Sequence, residues 1–230
     1  MPGYAGKPLS TSKHSYHPPA HQGLDVLYID ADLIAVNKPA GLLSVPGRES
    51  DKQDCMISRL QLEYPEALIV HRLDMETSGI ILFARHVQCQ RELSHLFQTR
   101  KIKKQYITIV DGKLAEAQGE INLPLQADWP NRPKQIVDFE NGKPSITHFN
   151  TLKYYSDLDA TRVELTPVTG RSHQLRVHML AIGHAILGDH LYGSEDVINK
   201  AERLLLHATS IHFTQPISGQ QLAIKCAEKF

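Results

Sequence analysis

Residues 71–84 read HRLDMETSGIILFA. The continuous apolar run at 80–84 is typical of a buried strand. A loop crowded with His, Arg, Asp, Thr and Ser side chains leads directly into it. Loops held by a rigid sheet often carry reactive side chains. Asp74 is therefore a candidate functional carboxylate, although an acid so close to Arg72 is equally consistent with a structural ion pair.

Short extended segments surround this strand along the chain. Further strands are predicted at 26–29, 33–36, 104–110, 161–166, 204–207 and 211–213. Helices are predicted at 54–63, with Asp54 as N-cap, at 87–98 and at 172–182. Strands outnumber helices and mostly neighbour one another in sequence, which predicts an α+β fold on a central, mostly antiparallel or mixed β-sheet with flanking helices.

The length and composition favour one domain behind a short arm. The chain has 230 residues, enough for a single self-supporting core at 23–230. Residues 1–22 are rich in Pro, Ser and His, a composition typical of a flexible arm. No apolar run reaches the roughly 18 residues that a membrane span needs, and no secretory signal is recognisable. These features predict a cytoplasmic protein without a membrane partner.

The charges balance, with 25 basic and 25 acidic side chains. Zero net charge disfavours a protein that coats nucleic acid through bulk electrostatics. A local phosphate-binding groove stays open, because phosphate contacts depend on where the cations lie. Four of them, Arg100, Lys101, Lys103 and Lys104, fall within five residues without an acid. A solvated surface run is the simpler alternative.

The His and Cys residues do not show the spacing of a metal site or a disulfide framework. Three cysteines are an odd number and lie far apart, which disfavours paired disulfides and zinc knuckles. His173 and His178 are five positions apart, about 140° around a helix rather than on one face. His71 and Asp74 lack a third ligand at a suitable spacing. We therefore predict no metal.

A second polar segment, GRSHQLRVH, occupies residues 170–178. Arg171, Gln174 and His178 follow the i, i+3, i+7 spacing of one helical face, and Arg176 lies off that face. Such a density of donors suits recognition of phosphate or carboxylate, while a solvent-exposed basic helix is the alternative. Tyr106 follows the basic run 100–104, where it is either a core tyrosine or a ring on which an RNA base stacks.

Taken in order, these segments resemble the signature of the RluA-type pseudouridine synthases. The matching segments are HRLD and TSG at 71–79, VNKPAGL at 36–42, KQY at 104–106, GRSHQLRVH at 170–178, GD at 188–189 and LLHA at 205–208. The resemblance covers residues 24–230. Segments 43–48 and 128–135 further resemble the short dual-specificity branch of the family, which lacks an S4 RNA-binding module and acts on large-subunit ribosomal RNA and the tRNA anticodon stem–loop.

The resemblance implies a pseudouridine synthase fold with a catalytic cleft. It also implies an isomerase that flips a uridine out of structured RNA and needs no cofactor. Asp74 would be the catalytic carboxylate, acting as nucleophile or as base. The family pattern places Arg176 against Asp74, Tyr106 on the uracil, and Arg72 in the space that the flipped base vacates. Arg171 and His71 would complete the substrate-binding residues.

Two further functional classes compete with this interpretation. A non-catalytic RNA-binding or assembly factor would use the same cations and Tyr106, but a carboxylate such as Asp74 in an RNA groove repels phosphate unless it does chemistry. A metal hydrolase that uses His71 and Asp74 would lack a third ligand at a suitable spacing. We therefore expect an enzyme whose partner is RNA, monomeric and without an obligate protein partner. The sequence leaves open which uridine is modified.

Overall fold

The central feature of the computed structural model, which describes residues 16–230, is one large β-sheet with a few helices packed against it. The strands of the described chain are β1 (Val26–Ile29), β2 (Leu33–Lys38), β3 (Leu68–Ile69), β4 (Ser78–Ala84), β5 (Lys103–Asp111), β6 (Gln118–Asn122), β7 (Leu125–Ala127), β8 (Gln135–Val137), β9 (Ile146–Tyr155), β10 (Ala160–Pro167), β11 (Leu206–Thr214) and β12 (Gln221–Lys225). The α-helices are α1 (Met56–Gln61), α2 (Val87–Gln98), α3 (Gln174–Ala181) and α4 (Glu195–Asn199).

The sheet is mixed and mostly antiparallel. Its main path runs β1-β2-β4-β11-β5-β10-β9-β6, with β12 paired to β11 and β3 paired to β4. Among the described strands, β4 and β11 are the parallel pair, and the others run antiparallel. The predicted α+β class with a mostly antiparallel or mixed sheet is therefore confirmed.

The parallel contact between β4 and β11 is short and close. It joins Ser78 to His207 and Gly79 to Ala208. Gly79 has φ +108°, and a β-carbon there would lie 2.3 Å from the carbonyl oxygen of Ala208. Only glycine permits both the conformation and the approach. This contact holds the loop that ends at Thr77 next to β11.

Several predicted elements need correction at their boundaries. The N-cap of α1 is Cys55 rather than Asp54, and Asp54 instead pairs with Arg59 at 2.7 Å. The strands predicted at 204–207 and 211–213 are one continuous strand, β11, because a bulge near Thr209 lets pairing with β5 continue. Helix α3 begins at Gln174, since its N-cap His173 has the left-handed φ of 53°.

The predicted arm at 1–22 lies largely outside the described residues, which begin at Tyr16. Its last seven residues follow the surface of the domain. The Tyr16 hydroxyl donates to the Asp54 carbonyl and accepts from the Leu43 amide, both at 2.9 Å. Arg59 donates to the Pro19 carbonyl at 2.6 Å. Within the described chain, every helix is too short or too polar to cross a membrane.

Candidate active site

Asp74 lies in the loop between β3 and β4, and the chain around it is tightly held. A backbone turn closes with Thr77 donating to the Asp74 carbonyl at 3.1 Å. The preceding residue, Leu73, exchanges two hydrogen bonds with the Ser44 hydroxyl, at 2.7 and 3.1 Å. The Asp74 side chain keeps 29% of its surface exposed. A carboxylate on a rigid loop and open to solvent can reach a substrate.

Lys38, at the end of β2, holds the same loop from inside the protein. Its Nζ donates to the carbonyls of Pro39, Leu42 and Met75 at 2.8, 2.7 and 2.9 Å, and its side chain is fully buried. Burial lowers the pKa of Lys38 to about 7, although the nearby acids Glu76 and Asp74 act in the opposite direction. The ammonium group therefore joins the 39–42 turn to the Asp74 loop.

Arg176, on α3, lies between two carboxylates. Its Nε and Nη2 donate to Asp189 at 2.8 and 2.6 Å, and its Nη1 lies 3.9 Å from Oδ2 of Asp74. Burial opposes the charge of Arg176, but the hydrogen bonds and charge of Asp189, with a contribution from Asp74, raise its pKa. The planar fork is thus used on Asp189, and Asp74 meets the remaining side of the guanidinium.

Tyr106 reaches the same region from β5. Its ring packs against two of the buried apolar clusters, one beneath the Asp74 loop and one beneath α3. Burial raises the pKa of its hydroxyl, and the charge of Asp74 adds to that effect. The structure therefore brings together Asp74, Arg176 and Tyr106, which the family resemblance groups, and their roles stay predictions.

The other predicted substrate-binding residues are Arg72, Arg171 and His71. Arg72 and Arg171 are exposed, and the Arg171 guanidinium reaches the Pro144 carbonyl at 3.4 Å. His71 accepts the Leu82 amide at 3.0 Å and stacks on Phe97 with 4.3 Å between ring centroids. Burial lowers the pKa of His71 to about 3, so its neutral ring completes the hydrogen bonding of β4. Roles for these three in binding RNA stay predictions.

The prediction that the polar face of α3 recognises phosphate or carboxylate is wrong for Gln174 and His178, and the alternative of a solvent-exposed face is wrong for them too. Gln174 and His178 are buried. The Gln174 amide donates to Thr147 and to the Ile146 carbonyl, each at 3.0 Å. His178 contacts the Thr147 hydroxyl at 2.9 Å and the Leu123 carbonyl at 3.0 Å. These side chains join α3 to the sheet and are not available to a ligand, because buried polar groups must be paired internally.

Sequence reasoning missed three residues of the site, namely Lys38, Asp189 and Tyr192. Two of them were within reach, because Lys38 and Asp189 belong to the VNKPAGL and GD segments quoted for the resemblance. Tyr192 had no such signal. Its hydroxyl accepts the Gln135 amide at 2.8 Å, and its ring lies 5.0 Å from Cζ of Arg176.

Two further features of the surface carry cations. Lys101 and Lys103 line a groove of about 450 Å³ with His212. In the turn between β7 and β8, the Arg132 guanidinium stacks 3.3 Å from the centroid of Trp129, which is 67% exposed. Across residues 16–230, no three His, Cys, Asp or Glu side chains are grouped as metal ligands would be.

Known proteins are similar to this chain in sequence and in fold. The family model described as RNA pseudouridylate synthase matches residues 32–181. The chain is 49% identical to the "Dual-specificity RNA pseudouridine synthase RluA" of Escherichia coli strain K12, and 47% identical to that of Pasteurella multocida; each match covers 94% of this chain and 98% of the relative. The solved structure of "Human RNA Pseudouridylate Synthase Domain Containing 1" is similar with a TM-score of 0.78 and 26% identity, over 92% of this chain and 86% of that one.

Proposed function

The chain belongs to the family of RNA pseudouridylate synthases, and on that premise we propose that Asp74 is the carboxylate with which it isomerises uridine to pseudouridine in RNA. The observation that carries the proposal is the grouping of a partly exposed Asp74 with the buried guanidinium of Arg176 and the ring of Tyr106. The non-catalytic RNA-binding alternative is set aside, because this is a family of enzymes.

The chemistry suits this group of side chains. Uridine and pseudouridine are isomers, so the reaction requires neither a redox cofactor nor an energy donor. The uracil leaves the sugar, turns, and is rejoined through carbon. A carboxylate beside the sugar can attack the sugar carbon or abstract a sugar proton. Arg176 places positive charge 3.9 Å from the Asp74 carboxylate.

Tyr106 and Arg72 would handle the base itself. A flat ring beside the carboxylate gives the detached uracil a stacking surface that keeps it in place. The target uridine must first leave the stack of neighbouring bases, which costs a few kcal/mol. Arg72 is exposed two residues before Asp74, so it can enter the space that the base leaves. Arg171 would contact phosphate, and His71 would support the loop that holds Arg72.

The RNA targets follow from the relatives and the surface. The relatives are named for dual specificity, and we propose that this chain modifies one uridine in large-subunit ribosomal RNA and one in a tRNA anticodon stem–loop. With zero net charge, recognition is expected to be confined to a few nucleotides in a bent loop read by its shape. We also propose that 23–230 act as one catalytic domain, monomeric in the cytoplasm, without an obligate protein partner.

Replacement of Asp74 tests the catalytic assignment. Asp74→Asn keeps the size of the side chain and removes its negative charge, so turnover should fall below detection while RNA affinity persists. The matched control is Glu76→Gln, which makes the same change two positions away and should keep most of the activity. Turnover of Asp74→Asn within tenfold of the unmodified enzyme would remove Asp74 from its role.

Two isolated hairpins test the substrate assignment. One mimics a tRNA anticodon arm and the other a ribosomal RNA loop, and each should acquire pseudouridine at one uridine with comparable efficiency. Chemical labelling followed by primer extension locates the modified base. Modification of one hairpin alone, or a need for intact ribosomal subunits, would contradict local recognition and leave the role of Asp74 standing. Light scattering of the enzyme, free and bound to a hairpin, tests the monomer.

A further inference from the structure

Tyr192 lies in the turn that Asp189 organises. Oδ1 of Asp189 accepts the backbone amides of Leu191 at 3.0 Å and Tyr192 at 3.2 Å. The same carboxylate binds the fork of Arg176. One buried acid therefore places both the guanidinium and the aromatic ring, and their relative position is set by a single side chain.

The ring of Tyr192 supports the guanidinium of Arg176. Cζ of Arg176 is 5.0 Å from the ring centroid, within the range of a cation–π contact. Asp189 holds the guanidinium through its edge, while Tyr192 contacts it across the ring face. Two such contacts restrict rotation of the group, and its remaining edge is the one that meets Asp74 at 3.9 Å.

The hydroxyl of Tyr192 joins two further elements. It accepts the amide of Gln135, the first residue of β8, at 2.8 Å, and lies 2.8 Å from Nδ1 of His173, the N-cap of α3. Burial raises the pKa of the Tyr192 hydroxyl to about 12 and lowers the pKa of His173. Nδ1 of a neutral imidazole can accept a hydrogen bond from the hydroxyl, so the phenol both donates, to His173, and accepts, from Gln135.

The hairpin joined in this way carries the exposed Trp129–Arg132 pair at its turn. Exposed aromatic rings beside cations are the surface on which RNA bases stack. The hairpin 125–137 therefore has a face suited to RNA at its turn and the Tyr192 hydroxyl at its base. A tyrosine that only fills space would not need a hydroxyl that bonds both β8 and the N-cap of α3, together with a ring that contacts the guanidinium of Arg176.

We propose that Tyr192 is a positioning residue with two separable parts: its ring orients Arg176 at Asp74, and its hydroxyl holds the 125–137 hairpin against the site. The proposal rests on the proposed catalytic role of Asp74. The two parts act on different steps. The ring affects the chemical step, because Arg176 borders the reacting carboxylate. The hydroxyl affects RNA binding, because the hairpin meets the substrate.

Two substitutions separate these parts. Tyr192→Phe keeps the ring and removes the hydroxyl, so KM for the tRNA-arm hairpin should rise about fivefold, the loss expected for one hydrogen bond, with kcat within about twofold. Tyr192→Leu removes both, and kcat should fall by a further factor of about five or more, as expected for the loss of a cation–π contact. Tyr28→Phe is the control, since it removes the 2.9 Å hydrogen bond from the hydroxyl of Tyr28, in β1, to Asp30 and should change neither constant.

Folding and catalysis are read separately. Circular dichroism and the urea midpoint give the folded fraction of each variant, and the rates are expressed per folded molecule. A purely structural role would lower the folded fraction and leave both constants unchanged per folded molecule, which would overturn the proposal. Equal kcat values for Tyr192→Phe and Tyr192→Leu would overturn it as well. Activity of the Asp74→Asn variant within tenfold of the unmodified enzyme would instead overturn the proposed function.

Discussion

Removal of the charge of Asp189 should both destabilise the protein and slow its reaction. Asp189 and Arg176 form a buried pair, with 1% and 3% of their side-chain surfaces exposed and 2.6 Å between Oδ1 and Nη2. Asp189→Asn preserves the shape of the side chain but leaves the guanidinium without its main counter-charge. The nearest remaining carboxylate among the described residues is Asp74, at 3.9 Å.

The size of the effect follows from burial. Breaking a buried ion pair by removing one partner typically lowers the free energy of unfolding by about 3–5 kcal/mol, because the other charge stays buried without compensation. The chain offers a matched control in Lys200 and Asp111, which also lie 2.6 Å apart but keep 26% and 35% of their surfaces exposed. A pair of that kind contributes about 1 kcal/mol or less. Asp111→Asn should therefore be milder by at least about 2 kcal/mol.

Urea unfolding followed by far-ultraviolet circular dichroism measures both losses. Asp189→Asn should also lower kcat, since a guanidinium released from Asp189 moves toward Asp74 and blocks the reacting carboxylate. Asp111→Asn should leave kcat unchanged. Equal destabilisation by the two substitutions would refute the reasoning from burial. A normal kcat in Asp189→Asn would refute the idea that Asp189 keeps Arg176 in its working position.

Gly79→Ala should destabilise the protein by about 3 kcal/mol or more, because it adds a collision to backbone strain, whereas Gly219→Ala, with φ +75° and nothing within 4 Å, should lose about 1 kcal/mol; urea midpoints compare them. His71 has a folded-state pKa of about 3, below its unfolded value, so its contribution is present above the unfolded pKa and is lost as pH falls toward 3. Between pH 7 and 5 the free energy of unfolding of the protein should fall by up to about 2 kcal/mol more than that of His71→Gln, which has no titrating ring. Urea unfolding that shows the same fall for both proteins would contradict this. Joint replacement of Lys101 and Lys103 by Ala should weaken RNA binding and leave kcat unchanged. The slope of the logarithm of the binding constant against the logarithm of the salt concentration should become shallower by the equivalent of up to about two phosphate contacts. An unaltered slope in a filter-binding titration would show that this groove does not contact RNA. Prolonged EDTA treatment should leave the rate unchanged once RNA folding is controlled. A loss of activity that added zinc or magnesium restores would contradict the prediction that the enzyme needs no metal ion.

Local patterns revealed the reacting loop but not its supports. The apolar run at 80–84 and the polar loop before it predict a buried strand with Asp74 in the preceding loop; β4 covers that run but begins two residues earlier, at Ser78. The supports depend on contacts distant along the chain. Lys38 reaches Met75 over 37 positions, and Tyr192 reaches Gln135 over 57. Neither periodicity nor spacing carries information about such contacts.

Periodicity also failed where polar side chains are buried. The spacing of Gln174 and His178 correctly places them on one side of a helix, but a helical period does not tell which surroundings that side meets. Here the polar side meets the Thr147 hydroxyl of β9 and backbone carbonyls. The Thr147 hydroxyl lies 27 positions from Gln174 and 31 from His178, so the sequence of the helix alone does not tell whether its polar side meets a ligand, the solvent or the protein interior.

The contact of Gly79 with Ala208 has a consequence for how the enzyme is made. The two strands lie 129 positions apart, so β4 has no β11 beside it until nearly the whole chain has left the ribosome. Domains form during translation from the amino-terminal side, and pairings between distant segments come late. The loop of Asp74 can therefore be translated early and yet lack its lateral support. A nascent chain that already carries the reactive aspartate acquires a finished site only when its last strands arrive.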